Sequence, residues 1–229
     1  MSHPIVQQLQ IVAAVSNGVA LSQTLGAAGN LTLNGSLVSG GVATLDSGGA
    51  ARRLIITSAG DDSALTWTIT GTKRDPGNSS NAIAATETLA GAAAGASAMS
   101  LTDFLTVTQI AGSGATTGAV TAGTNGVASA PAVPLDNYEP LFEASAVAYV
   151  TSGTPTYQLE VTYDDVYGTW LQAGQPVVWM PWQDMVGKTT NAQTILSESR
   201  GVAPVRAARW TLTAVGGIRG SILQQRGPV

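Results

Sequence analysis

Leu65-Thr66-Trp67-Thr68-Ile69-Thr70 alternates large apolar residues with threonine. Only an extended strand sorts those two kinds of side chain onto separate faces, because its side chains point alternately up and down. The same period of two recurs along the chain. Arg52-Arg53-Leu54-Ile55-Ile56-Thr57, Ile83 to Leu89 and Phe104 to Ile110 read as strands. So do Ala144 to Val150, Tyr157 to Tyr163, Pro176 to Met180, Val205 to Ala214 and Gly220 to Gln225.

Turn chemistry separates these runs. Ala59-Gly60-Asp61-Asp62 stops one strand, and Lys73 to Ser80 carries Asp75-Pro76-Gly77-Asn78 at its apex. Asn34-Gly35 predicts a hairpin between Leu31-Thr32-Leu33 and Ser36-Leu37-Val38, and Asn125-Gly126 predicts a second hairpin-like turn. Helical spacing is confined to two places. Ile5, Leu9 and Val12 allow two turns of helix or an extended arm, and Asn191 to Glu198 allows a short helix. The fold expected is all-β: antiparallel β-sandwich modules with Gly/Thr-rich loops and a short N-terminal arm or helix. Ala130-Pro131-Ala132-Val133-Pro134-Leu135-Asp136 is the best boundary, since paired prolines favour extended backbone and deny a helix. The expected division is an arm over 1–18, a β-sandwich over 19–130 and a second β-rich domain over 131–229. Four of the five tryptophans and all five tyrosines fall in that last part.

The surface is constrained as tightly as the fold. Charged residues make up 10% of the chain, against about a quarter in ordinary soluble domains. From Ser2 to Asp46 the only charge is Asp46 itself, and residues 91–98 are almost pure Ala, Gly and Ser. A surface so rich in Thr, Ser, Gly and Ala suits a protein whose faces are covered by copies of itself or by a larger assembly. Charge is also uneven: residues 1–187 hold four basic and thirteen acidic groups, and residues 188–229 hold six basic and one acidic. That asymmetry favours contact between the C-terminal region of one subunit and an acidic face of another.

Catalytic signatures are scarce. His3 is the single histidine, and the chain contains no cysteine, so histidine dyads, thiolate chemistry and cysteine metal sites lack their residues. Asp61-Asp62 and Asp164-Asp165 are adjacent acidic pairs outside any calcium-loop pattern, and both read as polar turns. Gly91 to Gly95 lacks the lysine and hydroxyl of a phosphate loop. The glycosylation acceptor pattern occurs at Asn30, Asn34 and Asn78, but Met1-Ser2-His3-Pro4 does not open a secretory signal. No apolar run reaches the roughly 18 residues of a membrane span. Arg52-Arg53 and the C-terminal arginines form no dense basic patch on a chain of net charge −4, so direct nucleic-acid contact is not expected.

The segment Ile55-Ile56-Thr57-Ser58-Ala59-Gly60-Asp61-Asp62-Ser63-Ala64-Leu65-Thr66-Trp67-Thr68-Ile69-Thr70-Gly71-Thr72-Lys73-Arg74 resembles one recurrent in tailed-bacteriophage virion proteins. There an apolar strand leads to a Trp/Phe-Thr-Ile-x-Gly-Thr strand and a Glu-Thr-Leu/Val return, which Glu87-Thr88-Leu89 supplies here. Phe104 to Ile110, Thr121 to Gly126, and Arg209-Trp210-Thr211-Leu212-Thr213 with Leu223 to Gly227 continue the likeness. It departs at Arg74-Asp75-Pro76-Gly77-Asn78, which is longer than the compact hairpin of the pattern. The resemblance implies a non-enzymatic structural subunit, made in the bacterial cytoplasm and carried in the virion as a decoration, collar or tail-associated part.

Its expected partners are copies of itself, with a trimer favoured by family analogy, and other virion proteins; no cofactor and no membrane are implied. Candidate partner contacts are Ile5 and Leu9 on the arm, Arg74 and Asn78 at the hairpin, the aromatic strip Trp170, Trp179 and Trp182, and Arg226 near the end. The alternative is a glycan-binding module of a phage tail or head fibre, using that strip or the 74–78 loop. A glycan hydrolase is a third reading, with no carboxylate pair singled out by spacing.

Overall fold

The computed structural model describes residues 5–46, 48–75, 77–78, 80–136, 143–166, 177–197 and 205–224. In the first part of the chain lie β1 (Ile5–Ile11), β2 (Ala20–Gln23), β3 (Gly29–Asn30), β4 (Val38–Ser39), β5 (Val42–Thr44) and β6 (Ala51–Ser58). The middle holds β7 (Thr66–Arg74), β8 (Ala82–Ala90), β9 (Ser97–Gly112), β10 (Val120–Ser129) and β11 (Val133–Pro134). After these come β12 (Glu143–Gly153), β13 (Tyr157–Thr162), β14 (Met180–Pro181), β15 (Ala192–Ser197), β16 (Ala207–Leu212) and β17 (Gly216–Gln224). The one helical element described is a single 3-10 turn, Gln183–Met185. Every described pairing is antiparallel, so the all-β sandwich-like architecture read from the period-two pattern is the architecture of the protein. Among the described residues no helix is long and apolar enough to cross a membrane.

The strands form two sheets. One has the order β1-β17-β12-β15; the other runs β14-β13-β16-β10-β6-β9-β5-β4, with β7 on β9 and β8 on β7. Two apolar cores result. The first holds Leu54 and Ile56 of β6, Trp67 and Ile69 of β7, Phe104, Val107 and Ile110 of β9, and Val120 and Ala122 of β10. The second is a layer between the two sheets. Leu9, Ala146, Ala148, Leu196, Ile218 and Ile222 of the small sheet face Tyr157, Leu159, Val161, Ala208, Trp210 and Leu212 of the large one. Trp210 packs directly on Gly220, where any Cβ would strike its indole ring. The large sheet runs through both cores, and it narrows between them: β10 meets β16 only at Ala128↔Leu212 and Ser129↔Thr211.

Four local expectations differ from the structure. One is the expected Pro176 to Met180 strand: residues 177–179 lie outside any strand, and only Met180–Pro181 pairs, with β13. Of the two alternatives for the N-terminal arm, residues 5–11 take the extended one, an edge strand paired along its whole length with β17, from Ile5↔Ile222 to Ile11↔Gly216. An apolar spacing of four satisfies a strand as well as a helix, because four is a multiple of two. Ala192–Ser197 is likewise a strand, not a helix, with Thr194 and Leu196 turned inward and Gln193 and Ile195 outward on the edge beside β12. The predicted Asn34-Gly35 hairpin falls instead at Gly40-Gly41, whose φ values of 59° and 79° supply the twist a two-residue turn needs. Gly35 serves close approach: a Cβ there would enter the Gly18 carbonyl group. Finally, Asn125-Gly126 lies inside β10, at a bulge between Thr124 and Ala128, and makes no turn.

Candidate functional site

Opposite the two cores, the other face of the large sheet carries a line of charge. Glu160 of β13 stands directly across from Arg209 of β16, and Arg53 of β6 directly across from Asp103 of β9. Arg209 joins the two pairs. Its Nε and Nη2 donate to Glu160 Oε2 at 2.8 Å, and its Nη1 donates to Asp103 Oδ2 at 2.9 Å and to Ser129 Oγ at 3.3 Å. The other Asp103 oxygen faces Arg53 Nε at 3.5 Å, an ion pair too long to count as a hydrogen bond. Asp103, Glu160, Ser129 and Arg209 are all buried.

Strands β16 and β9 are separated by β10 and β6, a flat-sheet distance of about 14 Å. An arginine side chain does not span that, so the sheet curls to bring them together. The register shifts between Thr124 and Ala128 and between Arg53 and Ile55 supply the bend.

The Trp179 ring covers this cluster, with the Arg209 guanidinium carbon 4.4 Å from its centroid. The segment bearing Trp179 is held by Asp164, whose Oδ2 accepts from Val178 N at 2.7 Å, and by β14 pairing to β13. Burial pushes the Glu160 carboxyl up, but the Arg209 charge and hydrogen bonds from Gln158 and Arg209 outweigh it. The group therefore titrates below its ordinary value. Thr211 Oγ1 adds to that field from outside hydrogen-bond geometry.

Beside the cluster opens a cleft of about 90 Å³, lined by Lys73, Arg74, Thr102, Asp103, Trp179 and Arg209 among others. Arg74 Nη2 reaches both oxygens of Asp46 at 3.3 Å. Lys73 has no ion-pair partner among the described residues, which leaves its cation to the cleft. Arg209 is fully occupied by its own partners. The polar and aromatic residues lining the cleft beside Arg209 thus include Lys73, Arg74, Thr102, Asp103 and Trp179.

The sequence candidates are distributed unevenly around this cleft. Arg74 and Trp179 converge on it. Trp182 does not: its side chain packs on the second core and its backbone N–H donates to Leu159 O at 2.8 Å, so Trp179 and Trp182 form no common strip. Asn78 is exposed at the β7–β8 tip, where its Oδ1 accepts from Ser80 N at 3.4 Å. Ile5 is about half exposed on β1, whereas Leu9 is fully buried in the second core and unavailable as a partner contact. Trp170 and Arg226 lie outside the described residues.

Asp61 and Asp62 make a turn: Asp61 Oδ1 accepts from Ser63 N, and Asp62 Oδ1 accepts from both Thr117 N and Thr117 Oγ1 at 2.8 Å. No group of three His, Asp or Glu side chains converges among the described residues. The members missed by motif reading are Arg53, Asp103, Ser129, Glu160 and Arg209. A signal for three of them was present: Asp103, Glu160 and Arg209 each interrupt an apolar strand in a chain that uses charge sparingly. No family model matches the chain, and neither does any curated protein sequence.

Proposed function

We propose that the chain is a non-enzymatic structural subunit of a tailed-bacteriophage particle, assembling with copies of itself and with neighbouring virion proteins. The observation that carries this reading is the direction in which the scarce charge points. Of 24 charged residues, Arg52, Asp62, Asp103, Glu160 and Arg209 are buried, so the surface is poorer in charge than the composition alone requires. What remains outward on β7 is Thr66, Thr68, Thr70 and Thr72, beside Thr86 and Thr88 of β8. Such faces keep few ions to desolvate when another subunit covers them. The phage assignment rests on the Ile55 to Arg74 resemblance. Sedimentation velocity at micromolar concentration, and immunogold labelling of purified particles with an antibody to the chain, test it together. A chain that stays monomeric with its neighbours present, on particles that take no label, overturns the proposal.

A glycan-binding role is the second reading, and one observation favours it: Lys73, Arg74 and Trp179 line one cleft. A glycan array with wild type and Trp179→Ala decides it. Binding that Trp179→Ala abolishes supports the cleft, and no binding by wild type ends this reading.

A further inference from the structure

Strand β8 presents a free edge whose geometry can be worked out group by group. Asp75 N donates to Asn81 O and Gly91 N donates to Leu65 O, so these two pairs are of the hydrogen-bonded kind. The β7–β8 register runs between them without a shift. The odd residues Ile83, Ala85, Glu87 and Leu89 therefore direct N–H and C=O to β7. The even residues Ala82, Ala84, Thr86, Thr88 and Ala90 direct theirs away. Among the described residues, nothing pairs with that outer row.

Exposed edges are ordinarily guarded by lysine, proline, a bulge or brevity. Strand β8 has nine residues, no bulge, no proline and no lysine. Its only charge, Glu87, is withdrawn to the inner face, where its carboxylate accepts from Leu101 N at 2.7 Å and Thr102 N at 2.8 Å.

We infer that the β8 edge pairs with β8 of a second copy, antiparallel, about a two-fold axis through Thr86. This rests on the reading of the chain as a self-assembling subunit, and names the contact. A strand laid antiparallel on itself brings like-spaced outward groups into register: Thr86 opposite Thr86, Ala84 opposite Thr88, Ala82 opposite Ala90. Up to about ten hydrogen bonds form. No charge lies on the outer row, so self-pairing opposes no like charges along the seam.

The contact is isologous and hence separate from a threefold one; a chain using both closes as two stacked trimers.

The chain has no cysteine, so Thr86→Cys carries its only thiol. Residues opposed in a hydrogen-bonded pair lie about 5.5 Å apart at Cα, within disulfide reach. Under mild oxidation Thr86→Cys is expected to crosslink to dimer at least tenfold faster than Thr189→Cys at an exposed remote site. Thr86→Pro removes an outward N–H and leaves the β7 ladder intact. It is expected to weaken self-association at least tenfold by sedimentation, with the circular dichroism of wild type. If wild type self-associates but Thr86→Cys crosslinks no faster than the control and Thr86→Pro associates normally, the β8 contact is wrong and the assembly reading stands. If wild type is monomeric and Thr86→Cys does not crosslink, the contact is overturned, and with it self-assembly.

Discussion

Arg209 holds two carboxylates at once in a largely buried setting, and its cation is balanced there only by their charge. Glu160 titrates below its ordinary value in the folded protein. Its contribution to stability is therefore complete above the unfolded glutamate value and is lost as the pH falls below that value and through the lower folded one. Glu160→Gln is expected to lower stability by about 3–5 kcal/mol at pH 7, because it leaves part of a buried cation uncompensated. Urea midpoints measured from pH 7 to 3 check this: the gap between wild type and Glu160→Gln narrows with acid, and a constant gap is the contrary result. Arg52 presents the opposite case, a buried cation with no carboxylate partner among the described residues. Its Nη2 donates to the carbonyls of Val12, Ala13 and Asn125, at 3.4, 3.3 and 3.0 Å, and so ties the segment after β1 to the bulge of β10.

At the scale of elements, β9 is the strand on which the first core depends. Its first half pairs β6 and its second half pairs β7, with short pairings to β5 and β3 along that second half, so sixteen residues serve four partners. The register shift of β7 on β9 between Thr70 and Gly71 brings the backbones close at Gly71, where a Cβ would enter the Thr106 carbonyl. Gly71→Ala is expected to cost about 3 kcal/mol or more, whereas Gly26→Ala, with no atom within 4 Å of the added carbon, stays near wild type. Thermal midpoints of the two variants measure the difference.

The elements divide into those legible from sequence and those that are not. Strands β6, β7, β8 and β13 follow directly from apolar alternation, because a half-buried strand prints its pleat on the sequence. The Gly40-Gly41 turn was hidden by a stronger motif at Asn34-Gly35, whose glycine is required by its close approach to the Gly18 carbonyl and not by a two-residue hairpin. Strands β1 and β15 were ambiguous because their partners, β17 and β12, are distant in sequence and local spacing carries no record of them. The charged cluster was hidden for the same reason. Asp103, Glu160 and Arg209 belong to three strands, and only the curl of the sheet brings them within hydrogen-bond distance.

Taken whole, the molecule is two cores on one continuous sheet, joined where β10 meets β16 and braced there by Arg209 and Arg52. Deleting residues through Ile11 removes the strand that pairs β17 and contributes Leu9 to the second core. Hydrogen exchange is expected to show amides of β12, β15 and β17 losing protection in this variant, while β7, β8 and β9 keep theirs. Equal loss in both groups would mean that the cores unfold as one unit.

The closure of β1 on β17 has a consequence in time. The first core is drawn from Val19 to Ala122 and is complete once those residues have left the ribosome. The second needs Leu9 from one end and Ile222 from the other. At 5–20 residues per second, β1 waits roughly 10–45 s for the strand it pairs with. Throughout that interval an uncharged strand is on offer. The same seat exists on any neighbouring copy finished earlier, and exchanging β1 between chains made side by side forms the contacts already present within one chain.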